Sequence, residues 1–454
     1  MKITIAGAGR IGYSVAQILA DEGHDITVID SDSAAIDHIS NTLDVISVEG
    51  NAALMQTLID AGAESADLLL AATDRDEINM ICGIVARKLG TKNVIARIRE
   101  PEYMSQREFL REALGLSKIV NPEYECAKEI ARILQFPTAA RVDAFSKGSV
   151  EIVEYRIPDG SRLDGAALKD LGKKFGAKIL VSVVERGSES MIPNGNFTLK
   201  AGDRLSVTGS PKELRSFFTA VGAYRKPVRD VLIMGGGRIA VYLTRLLKEA
   251  GITASVIDRN RAHCDKLCDL LPDTRIICGD ATHSDVLVEA GIKTVDAFVA
   301  LTSDDGDNII TSIYAKRCNT GKIVTRVNGG HFAEILLSSG LDCFVSPMEL
   351  VAQQIARYVR ALNNSLGSSV ETLYRLADGK VEALEFKVGE GAKYIGIPLK
   401  SLRLRPNLII AAIIRGDGII MPDGETELRA GDHAIIVTAA GRLKDIDAIV
   451  EDGK

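Results

Sequence analysis

The sequence predicts an α/β chain with two doubly wound parallel-sheet domains, each followed by a small α+β domain. Three observations lead there. The loop GAGRIG, Gly7 to Gly12, returns as GGGRIA, Gly235 to Ala240. The tail ILVSVVERGSESMIPNGNFTLKAGD at 179–203 returns as LIIAAIIRGDGIIMPDGETELRAGD at 408–432. Around each glycine loop, short apolar runs alternate with longer helical patterns, the order that lays parallel strands beside crossover helices.

The repeat can be followed along the chain. Asp30 follows Gly7 at the same spacing as Asp258 follows Gly235. Thr73 and Thr302 end the similar runs DLLLAAT and DAFVALT. Asn79 and Asn308 come next, then Arg97 and Arg326, again at matching spacings, and then Pro122 and Pro347. In the tails Pro193 matches Pro422, and Gly202-Asp203 matches Gly431-Asp432. The layout is therefore N1–C1–N2–C2, with limits near 1–135, 141–223, 229–360 and 369–454. Segments 136–142, 224–230 and 363–369 carry breaker residues and read as linkers, the first two as candidate moving joints. In N1 the runs ITIAGA, DITVID, VISVEG, LLLAAT and NVIARI read as strands and YSVAQILADEG as a helix. The C units have closer-spaced β runs, the turns Pro193-Asn194-Gly195 and Pro422-Asp423-Gly424, and a pattern for one helix each.

Composition narrows the function. The chain has 454 residues, 46% of them hydrophobic, enough for several cored domains. It has no Trp, 5% aromatic residues, a net charge of −6 and no basic block. Nucleic-acid binding wants stacking platforms and a clustered positive face, so it is not expected. The longest apolar run, LIIAAII at 408–414, is far short of the roughly 18 residues of a membrane span, and no leader pattern opens the chain, so a cytoplasmic location is expected. The seven cysteines are irregularly spaced and read as buried, reduced thiols.

The loops carry the chemistry. Each follows a β run and opens a helix, and an acidic residue ends the next β run, which is the context of the Rossmann dinucleotide fingerprint. Gly7 permits a tight turn, Gly9 lets a pyrophosphate approach the backbone, and Gly12 lets helix and strand pack closely. Free N–H groups of Ala8 to Gly12, Arg10 and Ile11 included, then face the phosphates with the helix dipole behind them. Gly235, Gly236, Gly237, Arg238 and Ile239 repeat the set, with Ala240 in third place. Asp30 and Asp258 are placed to accept from ribose hydroxyls and to repel a 2′-phosphate, favouring NAD(H), although Arg259 softens that exclusion in the second copy. The third strands end Gly50-Asn51 and Gly279-Asp280, so the two sites need not be equivalent. Thr73-Asp74 and Thr302-Ser303 fall at the ends of the fourth strands, over which ligands bind in such sheets, and Arg97 and Arg326 extend from the fifth.

Taken together, GAGRIG with Asp30, GGGRIA with Asp258, Gly279-Asp280-Ala281, Thr-x5-Asn, the paired Arg97 and Arg326 and the AGD tails resemble the RCK (regulator of potassium conductance) family over nearly the whole chain. The N–C–N–C order is similar to that of the peripheral subunits of bacterial Trk-type potassium-uptake systems. The resemblance implies binding of NAD(H), with ATP or ADP as further ligands. It also implies self-association into a ring at the inner face of the membrane, beneath a TrkH/TrkG-like potassium-translocating subunit that ligand binding gates.

The rival reading is an NAD-dependent oxidoreductase. It needs a proton-exchanging group beside the hydride centre. Tyr124-x3-Lys128 has a dehydrogenase-like spacing, but the second copy has Glu349 and Gln353 there, so the pair reads as ordinary helix surface. The six histidines do not repeat in position. His263, Cys264, Cys268, Cys278 and His283 lack the second paired spacing of a zinc site, and SDDGDN at 303–308 lacks the end of a calcium loop. No catalytic residue and no metal are expected. Two linked receptor sites explain the duplication better than an enzyme does.

Overall fold

The computed structural model describes residues 1–135, 141–187, 189–223, 228–328, 336, 339–341, 343–364, 370–377, 380–390, 392, 394–416, 418–439, 443 and 446–450. Most of the linker segments, at 136–140, 224–227 and 365–369, and His331 lie outside the described residues.

The first N domain runs β1 (Lys2–Ala6), α1 (Arg10–Asp21), β2 (Asp25–Asp30), α2 (Ser33–Thr42), β3 (Ile46–Glu49), α3 (Met55–Asp60), β4 (Leu68–Ala71), α4 (Asp76–Leu89), β5 (Asn93–Arg97), α5 (Pro101–Met104), α6 (Arg107–Ala113), β6 (Lys118–Val120) and α7 (Pro122–Gln135). Its six strands lie in the order β3-β2-β1-β4-β5-β6, all parallel. The apolar runs are continuous because both faces of such a sheet are covered: Leu68, Leu69, Leu70 and Ala71 of β4 are all fully buried. The order reverses between β1 and β4, the switch point where ligands of this fold bind.

C1 follows as β7 (Arg141–Phe145), β8 (Val150–Arg156), α8 (Leu168–Phe175), β9 (Leu180–Arg186), β10 (Glu189–Met191), β11 (Arg204–Gly209) and α9 (Pro211–Ala220), an antiparallel sheet of order β10-β9-β11-β8-β7. N2 repeats N1 with β12 (Asp230–Met234), α10 (Arg238–Glu249), β13 (Thr253–Asp258), α11 (Arg261–Leu270), β14 (Arg275–Cys278), α12 (Ser284–Ala290), β15 (Ala297–Ala300), α13 (Asp305–Arg317), β16 (Lys322–Arg326), β17 (Phe344–Val345) and α14 (Pro347–Asn364). Its order β14-β13-β12-β15-β16-β17 matches that of N1 strand for strand. C2 has β18 (Val370–Leu376), β19 (Val381–Lys387), β20 (Leu408–Arg415), β21 (Gly418–Ile420) and β22 (His433–Thr438), in the order β18-β19-β22-β20-β21. The apolar run 408–414 is thus a sheet strand.

Three details differ from the sequence reading. C1 holds two helices, α8 and α9, while C2 past α14 shows only 3-10 turns among its described residues, at Leu399–Ser401 and Ile446–Ile449. Each parallel sheet gains a sixth strand, too short to stand out as an apolar run. Cys268 and Cys278 are exposed rather than buried.

The compact units do not follow chain order. One holds Met1–Leu134 with Val228–Ala356, the other Gln135–Pro227 with Arg357–Lys454. Within the first, N1 and N2 meet directly: Tyr124 packs edge-on against Tyr242, Asn121 donates to the Tyr242 hydroxyl at 3.2 Å, and that hydroxyl donates to the Arg99 carbonyl at 3.1 Å. Within the second, Phe145, Val150, Ile152 and Val183 of C1 share one hydrophobic cluster with Leu376, Val381, Ala411, Ile435 and Val437 of C2. Ser146 donates its amide (3.3 Å) and its hydroxyl to the buried carboxylate of Glu385, which also has His433 Nδ1 at 3.4 Å.

Candidate nucleotide site

The glycine loop joins β1 to α1 over the switch point. Gly7 sits at φ +108°, and a Cβ there would meet the Ala72 carbonyl oxygen at 2.8 Å, so the turn excludes any side chain. Gly235 repeats this at φ +94°. A Cβ on Gly12 would lie 1.8 Å from the Gly7 oxygen. The second copy holds Ala240 at that place, fully buried.

Gly9 is different. It is the N-cap of α1 at φ −65°, ψ −177°, a conformation open to any residue. A Cβ there meets nothing within 4 Å. Gly237, N-cap of α10 at φ −62°, ψ −177°, is also open. No contact or strain within the fold requires glycine at either point. Both helices start with no side-chain cap and no acid in their first turn, whereas α2, α9, α11 and α13 are capped by Asp32, Ser210, Asn260 and Asp304. Two long helices thus present bare N–H groups beside an open space, the arrangement that suits a phosphate.

Asp30 closes the loop from the end of β2. Its Oδ2 accepts from the Ala8 amide at 2.6 Å and its Oδ1 from the Asp32 amide at 3.0 Å. Asp258 does the same with the Gly236 amide at 2.9 Å and the Asn260 amide at 2.9 Å, and in addition His263 Nδ1 lies 3.2 Å from its Oδ2. Gly236 stands where the first copy has Ala8, and a Cβ there would come 2.3 Å from Leu267 Cδ1, so that leucine would have to shift. Cys264 donates to the Asp258 carbonyl at 3.3 Å; burial first, then a hydrogen bond with Cys278, pushes its thiol up to about 11.

Asn51 and Asp280 hold equivalent turns past the third strands. Asn51 Oδ1 accepts from the Ala53 amide at 2.9 Å. Asp280 Oδ1 accepts from the Thr282 hydroxyl at 2.7 Å and amide at 2.9 Å, which holds its carboxyl below the ordinary value. The exchange keeps the turn and changes the charge.

At the ends of the fourth and fifth strands both copies show one network. Asn79 Oδ1 accepts from the Thr73 amide and hydroxyl at 2.8 and 2.7 Å, and its Nδ2 donates to the carbonyls of Thr73 and Arg97 at 3.2 and 2.9 Å. Asn308 makes the same four bonds to Thr302 and Arg326, at 3.0, 2.8, 3.0 and 3.1 Å. Both asparagines are fully buried, so they pin the crevice rather than line it. Their repeated Thr-x5-Asn spacing was the signal of that role. Arg97 and Arg326 donate from Nη1 to the Thr73 and Thr302 carbonyls at 3.3 and 3.2 Å, and each keeps a buried Nε with no partner among the described residues. Burial, then the neighbouring Arg99, pulls the Arg97 guanidinium below its ordinary value.

The remaining motif residues separate by exposure. Ile11 and Ile239 are core residues, so only their amides are available to a ligand. Arg10 and Asp74 are exposed. Arg238 reaches out of the second loop to an ion pair with Glu100 of N1. The Glu100 amide in turn donates to Asp76 at 2.9 Å, at the start of α4. One residue therefore touches the second loop with its side chain and the rim of the first crevice with its backbone. Tyr124 is committed to Tyr242, and Lys128 pairs with Glu125 at 3.4 Å. Among the described residues no helix is long and apolar enough to cross a membrane, and no cluster of His, Cys, Asp and Glu suits a metal.

The TrkA-N domain profile matches residues 3–122 and 231–347, and the TrkA-C domain profile matches 152–222 and 383–450. A Trk system potassium uptake protein TrkA homolog of Archaeoglobus fulgidus is 32% identical over 450 residues, covering 99% of this chain and 100% of its own. The Trk system potassium uptake protein TrkA of Vibrio alginolyticus is 29% identical over 456 residues, covering 99% of each. Among solved structures, the GsuK RCK domain superposes at TM-score 0.63 with 20% identity, over 97% of this chain and 92% of that one. A GsuK channel bound to NAD gives TM-score 0.63 with 21% identity, over 97% and 77%. Both show the same fold. With both domain types matched twice in alternation, and relatives aligned end to end, the chain belongs to the TrkA-N/TrkA-C family of potassium-uptake proteins.

Proposed function

We propose that this chain is the nucleotide-sensing regulatory subunit of a potassium-uptake system. It takes NAD(H) at the two glycine loops, with ADP or ATP as alternative ligands. Its occupancy biases a ring of such chains under a TrkH/TrkG-like membrane subunit, at the inner face of the cell membrane. The observation that carries the reading is the pair Gly9 and Gly237: glycines without an internal reason, at uncapped helix starts, beside open space. A pyrophosphate supplies the reason. Asp30 and Asp258 then face the adenosine ribose. The unpartnered Nε atoms of Arg97 and Arg326 suit an anionic or hydroxylated group over the fourth and fifth strands. The names of the relatives, and the NAD bound by a channel of the same fold, support the ligand and the system.

The four domains proposed are 1–135, 141–223, 229–360 and 369–454. No residue is given a catalytic role. A ligand that prefers one arrangement of the ring shifts its population by that difference in affinity, and no hydride need move. Deleting the gene is expected to impair growth and potassium uptake at limiting external potassium. Unimpaired uptake in the deletion strain refutes the potassium role. Turnover of NADH with any member of a carbonyl panel would favour the oxidoreductase instead.

A further inference from the structure

We infer that His263 sets the ribose selectivity of the second pocket and makes it more tolerant of a phosphorylated ribose than the first. The inference rests on reading both loops as nucleotide sites, and it concerns the one carboxylate each site offers to the sugar. An ionised carboxylate has about four lone-pair directions. Asp30 spends two, on the amides of Ala8 and Asp32. Two remain for a ribose diol. Asp258 spends the equivalent two on Gly236 and Asn260, and a third on His263 Nδ1 at 3.2 Å. The carboxylate only accepts, so Nδ1 carries the proton. One direction remains for the diol.

The sequence places this group in one copy alone. His263 is the third residue of α11; its amide donates to the N-cap Asn260 at 3.1 Å, and its ring Nδ1 faces the Asp258 carboxylate. The third residue of α2 is Ala35, behind the N-cap Asp32. The extra donor lowers the negative field at the ribose, and Arg259 beside Asp258 acts in the same sense. Asp30 keeps its full repulsion of a 2′-phosphate; Asp258 does not. The first pocket is therefore the strict NAD(H) site, and the second admits NADP(H)-type ribose as well.

The test uses the full chain, with one pocket silenced at a time. Gly9→Asp, whose side chain meets open space where the phosphate would sit, leaves the second pocket to be titrated with NADH and with NADPH at one fixed pH, and Gly237→Asp, equally open, leaves the first. The NADH:NADPH affinity ratio is expected to be about tenfold lower in the second pocket than in the first. His263→Ala should raise that ratio toward the first-pocket value, and Ala35→His should lower it in the first pocket. His263→Gln, which keeps an N–H donor, should retain the wild-type ratio. A ratio unmoved by His263→Ala while both nucleotides bind overturns the inference and leaves the nucleotide reading standing, as does His263→Gln behaving like His263→Ala. If neither nucleotide binds the unsubstituted chain, the NAD(H) reading of the loops fails and this inference with it.

Discussion

Single residues in the glycine loops answer to different masters, and substitution separates them. Gly9 has room for a side chain and an ordinary backbone, so Gly9→Ala should change stability by no more than about 0.5 kcal/mol. It should still weaken NADH binding at the first pocket tenfold or more, because the methyl group occupies the space we give to phosphate. Thermal unfolding and a fluorescence titration on one sample read both effects. Gly12→Ala should do the reverse and act through the fold. A Cβ 1.8 Å from a backbone oxygen forces the helix off its strand, at a cost of about 1–3 kcal/mol. The converse Ala240→Gly should lose about 1 kcal/mol or less, chiefly through helix propensity. Asp30→Ala removes both the proposed ribose acceptor and the partner of the Ala8 amide, so it should weaken NADH binding at the first pocket. Unchanged affinity would refute the ribose assignment.

At the scale of elements, the repeated tails acquire a physical meaning that spacing alone did not show. Asp203 precedes β11 and is 1% exposed; Arg186, closing β9, binds it through Nε at 2.8 Å and Nη2 at 2.7 Å. Arg415 and Asp432 repeat the fork at 2.8 and 2.8 Å. Burial alone would raise these two carboxyls, but the arginine fork and the Lys200 or Arg429 amide outweigh it and hold both below the ordinary 3.8. A depressed folded value stabilises above the unfolded value, and the stability is lost as pH falls through the folded one. The C unit should therefore resist acid until below about pH 4. Arg186→Ala should cost about 2–3 kcal/mol and move the acid transition upward, followed by circular dichroism against pH. The AGD repeat was visible as a pattern, whereas its arginine partner, at the end of β9 or β20, was not, because ERG and IRG look like ordinary turn entries. The strands and loops of the N domains were legible for the opposite reason. Their signal is local: a continuous apolar run, a glycine turn and a terminal acid all fall between Lys2 and Asp30, and again between Asp230 and Asp258. Contacts between halves, such as Tyr242 with Asn121, join distant parts of the chain and leave no periodic trace.

For the whole molecule, Glu100 is the informative position. Its ion pair with Arg238 is partly exposed, at 44% and 40% for the two side chains, and so is worth about 0.2–1 kcal/mol. A phosphate at the second loop must compete for that arginine. Glu100→Ala should therefore tighten nucleotide binding at the second pocket two- to fivefold, measured in the Gly9→Asp background, and leave the first pocket's affinity for NADH unchanged in the Gly237→Asp background. Equal affinity with and without Glu100 would show that the pair is idle. Aligned on Arg97 and Arg326, the matching position in the second copy is Gly329, so the sequence offers no second acid to mirror it. The shared cluster of Phe145, Ile152, Leu376 and Val437 bears on how such one-sidedness is possible. A half-length chain ending before residue 224 would leave Phe145 and Ile152 uncovered and would find cover in another copy of itself. In that symmetric pair every change is made twice, and an acid that meets one loop meets both. Joining the halves in one chain removes that constraint. Each loop becomes free to mutate against an unchanged partner, and under the function proposed above the two sites become free to differ in what they bind.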